Sequence, residues 1–235
     1  MKPLIPLISA MLMATMALEP ATAQSSYPDR QIRLIVPTPP GGSSDAAARV
    51  LATLMSKSLG QTVVIENKPG ASGAIAARAL MASPADGYTL MWTLSSMSGL
   101  PSLQKSPPYR SLADLTPVSL VGHFAYAMFV HPDVPAQSVA EFVDYARGRP
   151  DKLSYATGSL GDYMATVKFL KANGVTSVRV PYKGGAQLMP DLVSGRVQLN
   201  FGPLSSGLPF VRDGKLRLLA VLLSQRSAAA PDVPT

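Results

Sequence analysis

Cysteine is absent from the 235 residues, and histidine occurs only twice, at His123 and His131. Disulfides and thiol chemistry are therefore excluded, and a Cys/His metal site lacks its donors. Acidic residues number 14 against 21 Lys and Arg, and no group of them has the spacing a hard cation needs. The sequence thus predicts no metal site and no cofactor. Aromatics make up 6% of the chain and never interleave with a basic run, so the net charge of +7 does not describe a nucleic-acid surface. Scattered Lys and Arg fit a solvated surface that steers small anions instead. Neither a Gly-x-Gly-x-x-Gly fingerprint nor a P-loop is present, which removes the usual nucleotide cradles. No Gly-x-Ser-x-Gly elbow exists, and Ser72 in Gly-Ala-Ser-Gly misses that spacing.

Long apolar runs are also scarce. One covers Leu4 to Leu18, behind the positive Lys2 and before the small-residue pattern Ala21-Thr22-Ala23. It is shorter than the roughly 20 residues a bilayer requires and reads as a signal peptide over 1–23, cleaved after Ala23. Export to the periplasm follows from that reading. The remaining chain has one large or two small domains' worth of residues, and 47% hydrophobic residues supply a core without disulfides.

What is present is a stretch of strand, Gly/Ser loop and helix start, Ile32–Asp45, with sequence IRLIVPTPPGGSSD. The β-rich segment 32–36 reads as a buried strand, and Pro37, Pro39 and Pro40 stop it because each lacks an N–H. Gly41 and Gly42 permit a tight turn, and Ser43 or Ser44 can cap a helix whose apolar positions include Ala47, Val50, Leu51, Leu54, Met55 and Leu59. Such a junction aims helix N-terminal amides at one point, where a carboxylate or phosphate fits; an ordinary ligand-free turn has the same sequence signature. Asp45 suits either a ligand contact or the helix dipole. Strands at 62–66 and 88–93 flank a short helix at 72–81, the pattern of a parallel, doubly wound sheet. The run Thr93–Ser98 would lie at the same edge as Thr38–Ser44. A fourth strand is expected at Pro117–Val121, and a further β-like run reaches Val130.

The pattern then restarts. Ser138 and Glu141 form a capping box for a helix ending at Arg147. Strand 153–157 leads into Gly158-Ser159-Leu160-Gly161-Asp162 and a helix to Ala172, repeating the opening device. Strands at 177–182, 197–201 and 216–222 alternate with helices at 187–193 and 205–212. Asp191 reads as helix surface.

These segments resemble the periplasmic solute-binding proteins of the tripartite tricarboxylate transporter group, the Bug family. The matching stretches are VPTPPGGSSD (36–45), VVIENKPGASG (63–73), DGYTL (86–90), PVSL (117–120), LSYATGSLGD (153–162), VPYKGGAQLMPDLVSGRV (180–197), GKLRLLAV (214–221) and RSAAAPDVPT (226–235). The resemblance implies an α/β Venus-flytrap receptor of two lobes, each a doubly wound sheet, that closes on a small carboxylate. Residues 24–123 would form the first lobe, 124–222 the second, and 223–235 a crossover back toward the first. The partners it implies are a di- or tricarboxylate, aromatic acid or amino acid, and the membrane subunits of such a transporter. Carried onto this chain, the carboxylate contacts are Thr38, Gly41, Gly42 and Ser43 in one loop and Thr157, Gly158, Ser159 and Gly161 in the other. Gly184 is a further contact.

Three features depart from the family pattern. Asp162 and Ala165 stand where relatives carry Ser and His, Gln198 replaces an Asp, and relatives continue beyond the Pro-Asp-Val-Pro-Thr end. Asp162 is accordingly expected to alter the ligand class, and the first lobe to lack a covering segment. Two other readings stay open on sequence alone: a shortened relative with little binding, and a hydrolase or transferase using the same cleft.

Overall fold

A computed structural model describes residues 27–149 and 152–235; the expected signal peptide lies outside the described residues. The described residues form two separate sheets. The first contains β1 (Ile32–Val36), β2 (Val63–Asn67) and β3 (Thr89–Met91) in the order β2-β1-β3, all parallel. Helix α1 (Ser43–Leu59) packs on one face. Ile32, Leu34 and Val36 meet Ala48 and Ala52 there, as the two-residue period of a strand requires. Helix α2 (Ala74–Met81) covers the other face, joined by Met97, by Leu100 at the head of the short helix α3 (Leu100–Leu103), and by Tyr109.

The second sheet holds β4 (Tyr126–Val130), β5 (Ser154–Thr157), β6 (Val178–Pro181), β7 (Leu199–Pro203) and β8 (Arg217–Leu222), in the order β6-β5-β7-β4-β8. Alternation along β4 divides its two cores cleanly. Met128 and Val130 join α4 (Val139–Arg147) and α5 (Leu160–Ala172) on one side; Ala127 and Phe129 join α6 (Gly185–Val193) and α7 (Leu204–Arg212) on the other. Helices on both faces make this unit doubly wound. One strand runs against the rest: β4 is antiparallel to β7 and β8, so its first residue, Tyr126, lies beside Pro203 and Leu222, at the carboxyl ends of its neighbours. Beyond β8 the chain doubles back, and Val221 N–H donates to the Pro234 carbonyl.

Several sequence expectations need correction. Residues 117–121 form no strand. They have no regular structure, and Val118 and Leu120 are 79% and 74% exposed, because no strand among the described residues pairs with them. On α1, Val50 and Leu54 face solvent while Ala48 and Ala52 are buried, since small side chains let the helix lie close to its sheet. The second sheet is mixed, through β4, while its helices on both faces agree with the doubly wound lobe expected. The Ser138–Glu141 cap is formed as expected: Ser138 Oγ accepts from Glu141 N–H at 3.2 Å, and Glu141 accepts from Gln137 N–H at 2.7 Å. Among the described residues no helix is long and apolar enough to cross a membrane.

Helix α7 lies close on its sheet at Gly207, where any Cβ would overlap the Phe129 ring. Gly207→Val should destabilise the protein by about 1–3 kcal/mol through overpacking, seen as a lower urea midpoint with an unchanged slope.

Candidate functional site

All three strands of the first sheet end on one side, at Val36, Asn67 and Met91. The loop leaving β1 turns through Gly41, whose φ of +84° a side chain rarely adopts. It is held from below by the carboxylate of Asp45, only 2% exposed. Asp45 accepts from Gly41 N–H at 3.0 Å, Arg49 Nε at 2.8 Å and Asn67 Nδ2 at 2.8 Å. The same Asn67 amide donates to the Thr38 carbonyl at 2.9 Å, so the end of β2 fastens both halves of the loop. Trp92, just past β3, donates its indole N–H to Ser44 Oγ at 2.9 Å. Gly42 is the extended N-cap residue of α1 and Ser43 its first helical residue. Among the described residues, the amides of Gly42, Ser43 and Ser44 take no acceptor, and Thr38 Oγ1 is buried without a partner.

The second loop repeats this plan. Thr157, buried at the end of β5, accepts from Arg179 Nε at 3.1 Å. Gly158 N–H donates to Asp162 Oδ2 at 2.8 Å, the same four-residue step as Gly41 to Asp45. Ser159 caps α5, accepting from Asp162 N–H at 3.2 Å, and its hydroxyl donates to Asp162 Oδ1. The Tyr126 hydroxyl sits directly over Gly161, where a Cβ would overlap it, and 3.5 Å from Ser159 Oγ.

The loops converge. A Cβ on Gly184 would stand 3.3 Å from Pro39 Cδ, and one on Gly158 would stand 2.7 Å from the Gly184 carbonyl carbon. Glycine at 158 is thus required by backbone proximity. The turn Ser95–Gly99 comes within 8 Å, Cα to Cα, of α5. Beside β1's end, Ala71 and Ser72 hold φ of +47° and +56°, a strained conformation for residues with side chains. All ten residues marked from the sequence therefore lie on the two loops or on the β6–α6 turn between them. Gly41 and Gly158 spend their amides on internal carboxylates, so their part in the site is to shape it. Sequence reasoning missed Asn67, Arg49, Trp92 and Tyr126; a polar or aromatic residue at a neighbouring strand end was the available signal for three of them, and the four-residue spacing from Asp45 for Arg49. Asp191 serves structure, accepting from Tyr182 at 2.7 Å and Arg196 at 2.9 Å. Among the described residues no cluster of three or more metal-ligating side chains occurs.

The two loop carboxylates differ in charge balance. Burial works against ionisation of Asp45, but hydrogen bonds from Arg49, Asn67 and Gly41 outweigh it and hold its pKa below the usual 3.8. Asp162 is displaced upward, because burial dominates over the hydrogen bonds from Ser159 and Gly158. Burial, and next the Asp162 charge, push the Tyr126 hydroxyl up to about 12.

Two α/β units whose Gly/Ser loops face each other across strand ends constitute a periplasmic-binding-protein fold. A family model, the tripartite tricarboxylate transporter family receptor, matches residues 47–235. Protein BugT of Bordetella pertussis is 38% identical over 233 residues, covering 97% of this chain and 71% of that protein. A protein of the gbd 5' region of Cupriavidus necator is 36% identical over 223 residues, covering 94% and 68%. Among solved structures, an R. palustris protein with adipate is 35% identical with a TM-score of 0.85, covering 89% of this chain and 71% of that one. MatC from Rhodopseudomonas palustris with bound malate is 30% identical with a TM-score of 0.81, covering 89% and 72%. The chain belongs to the receptor family of tripartite tricarboxylate transporters, whose members bind solutes and are not enzymes.

The opposite displacements of Asp45 and Asp162 give opposite pH signatures. Asp45, with a depressed pKa, stabilises the fold above about pH 4, and that contribution is lost as pH falls through its folded pKa. Asp162, with a raised pKa, costs stability as pH rises from about 4 through its folded pKa. In thermal melts between about pH 3 and 7, Asp45→Asn should become increasingly inferior to wild type as pH rises. Asp162→Asn should gain relative to wild type over the same range.

Proposed function

We propose that this protein is an exported receptor that captures a small carboxylate between the Thr38–Ser44 and Gly158–Asp162 loops and delivers it to membrane transporter subunits. The observation that carries this reading is the convergence of two helix N-termini, α1 and α5, with Pro39 packed against Gly184 between them. Amides and helix dipoles directed at one cleft stabilise a bound anion without a metal or a catalytic base. The relatives solved with adipate and malate support a carboxylate as the anion. Residues 24–123 and 124–222 are proposed as the two lobes, with the extended segment around Val121–Phe124 as one crossing. Periplasmic location and removal of residues 1–23 belong to the same proposal.

Native-state binding raises stability by about 2.7 kcal/mol at a ligand concentration 100 times Kd. A thermal-shift panel of small mono-, di- and tricarboxylates and amino acids should therefore contain a clear stabiliser. Gly42→Val offers a sharper check. Gly42 has φ of −81° and ψ of 165°, which valine tolerates, and the nearest atom to an added Cβ is Pro39 O at 4.0 Å. The variant should fold normally and lose at least about tenfold in affinity by calorimetry, because the branched side chain shields the loop amides. Unchanged affinity would place the ligand elsewhere.

A further inference from the structure

The two loops share a backbone plan but not a hydrogen-bond polarity. At the first, unspent donors predominate. Gly42, Ser43 and Ser44 present unpartnered amides, and Thr38 Oγ1 is buried with no partner among the described residues. Ser44 Oγ accepts from Trp92, which leaves its own proton unspent among the described residues. The internal charge of Asp45 is already matched by Arg49.

At the second loop the side-chain protons are consumed, although among the described residues the amides of Leu160 and Gly161 take no acceptor either. The Ser159 hydroxyl donates to Asp162, so in its contact with Tyr126 it can only accept. Tyr126 therefore donates within this cluster, toward Ser159 or the Asp162 carboxylate, and its oxygen keeps lone pairs for a further partner. Asp162 is 4% exposed and forms no ion pair with any Lys or Arg among the described residues. Arg179 is close by on β6, but it bonds Thr157 and stacks on the Tyr163 ring at 4.2 Å. The Tyr126 hydroxyl also crowds the first turn of α5 at Gly161, covering part of that helix N-terminus. A carboxylate brought to this end meets the Leu160 and Gly161 amides, but also a buried like charge and acceptor oxygens that the first loop lacks. An ammonium meets a buried opposite charge and an acceptor.

We infer that Asp162, acting through Ser159 and Tyr126, makes the cleft select a carboxylic acid whose far end carries an N–H donor, an ammonium in the matched case, in place of a second carboxylate. The inference rests on the reading of the cleft as a carboxylate site. The carboxylate of the ligand lies at the first loop and the ammonium at the second, so Asp162 and Tyr126 determine specificity while Gly42–Ser44 supply the common anchor.

The test is calorimetry on the whole protein with matched pairs of α,ω-dicarboxylates and ω-amino acids of three to six carbons. In the pair of best-fitting length, the amino acid should bind at least about tenfold tighter than the dicarboxylate, the scale expected of one close charge interaction in a partly screened site. Asp162→Asn should narrow that gap to within about threefold. Tyr126→Phe, which keeps the ring in place, should weaken the amino acid and leave the dicarboxylate unchanged; it carries the test if Asp162→Asn does not fold. Dicarboxylates binding as well as or better than amino acids would overturn the inference alone, leaving the carboxylate site intact. A preference that survives both variants would remove Asp162 and Tyr126 from it. No binding by any member of either series would overturn the carboxylate reading and the inference together.

Discussion

The structure depends on what happens to backbone amides where a parallel strand hands over to a helix. Such a junction leaves N–H groups without intrahelical partners, and a buried one needs an acceptor. In both halves of this chain an aspartate one turn into the helix supplies it. Asp45 accepts from Gly41 and Asp162 from Gly158, each four residues away. The carboxylate fixes the loop in a shape that directs the remaining amides into the cleft. A loop shaped by its own buried anion is preorganised, so a ligand does not have to order it on binding.

Burying a carboxylate is costly unless it is paired and hydrogen-bonded. The two halves meet that cost differently. Asp45 has a cation at 2.8 Å and an amide from the next strand. Asp162 has only hydroxyl and amide donors, and its pKa rises accordingly. The first loop's carboxylate is matched by a cation, and the second's is not. A repeated backbone geometry thus carries two chemically different loops, an asymmetry of the kind the proposed selectivity for one ligand end over the other would need.

The sheets place these walls. In the second unit the alternation of Met128 and Val130 with Ala127 and Phe129 feeds two separate cores, and Gly207 lets α7 close directly over Phe129. Reversal of β4 carries Tyr126 to the edge where β5 and β7 end. That reversal is why a tyrosine 33 residues before Ser159 can touch it.

Much of the fold was legible because its signals are local. Hydrophobic period, proline stops and capping residues predicted Ile32–Val36, the helix entered at Ser43–Ser44, and the Ser138–Glu141 cap, since each depends on neighbours within one turn. The two Gly/Ser loops were legible for the same reason. Local signals failed where pairing or packing depth decides. Pro117–Val121 has strand composition but no partner among the described residues, and Val50 and Leu54 have core composition but lie outside the alanine seam. The sequence by itself determined most of the element order, the two loops and the family. Tertiary structure alone decided that Asn67, Trp92 and Tyr126 complete those loops and that Asp162 lacks the cation Asp45 has, because these are contacts between segments 22 to 48 residues apart, or differences in charge partner that no local pattern encodes.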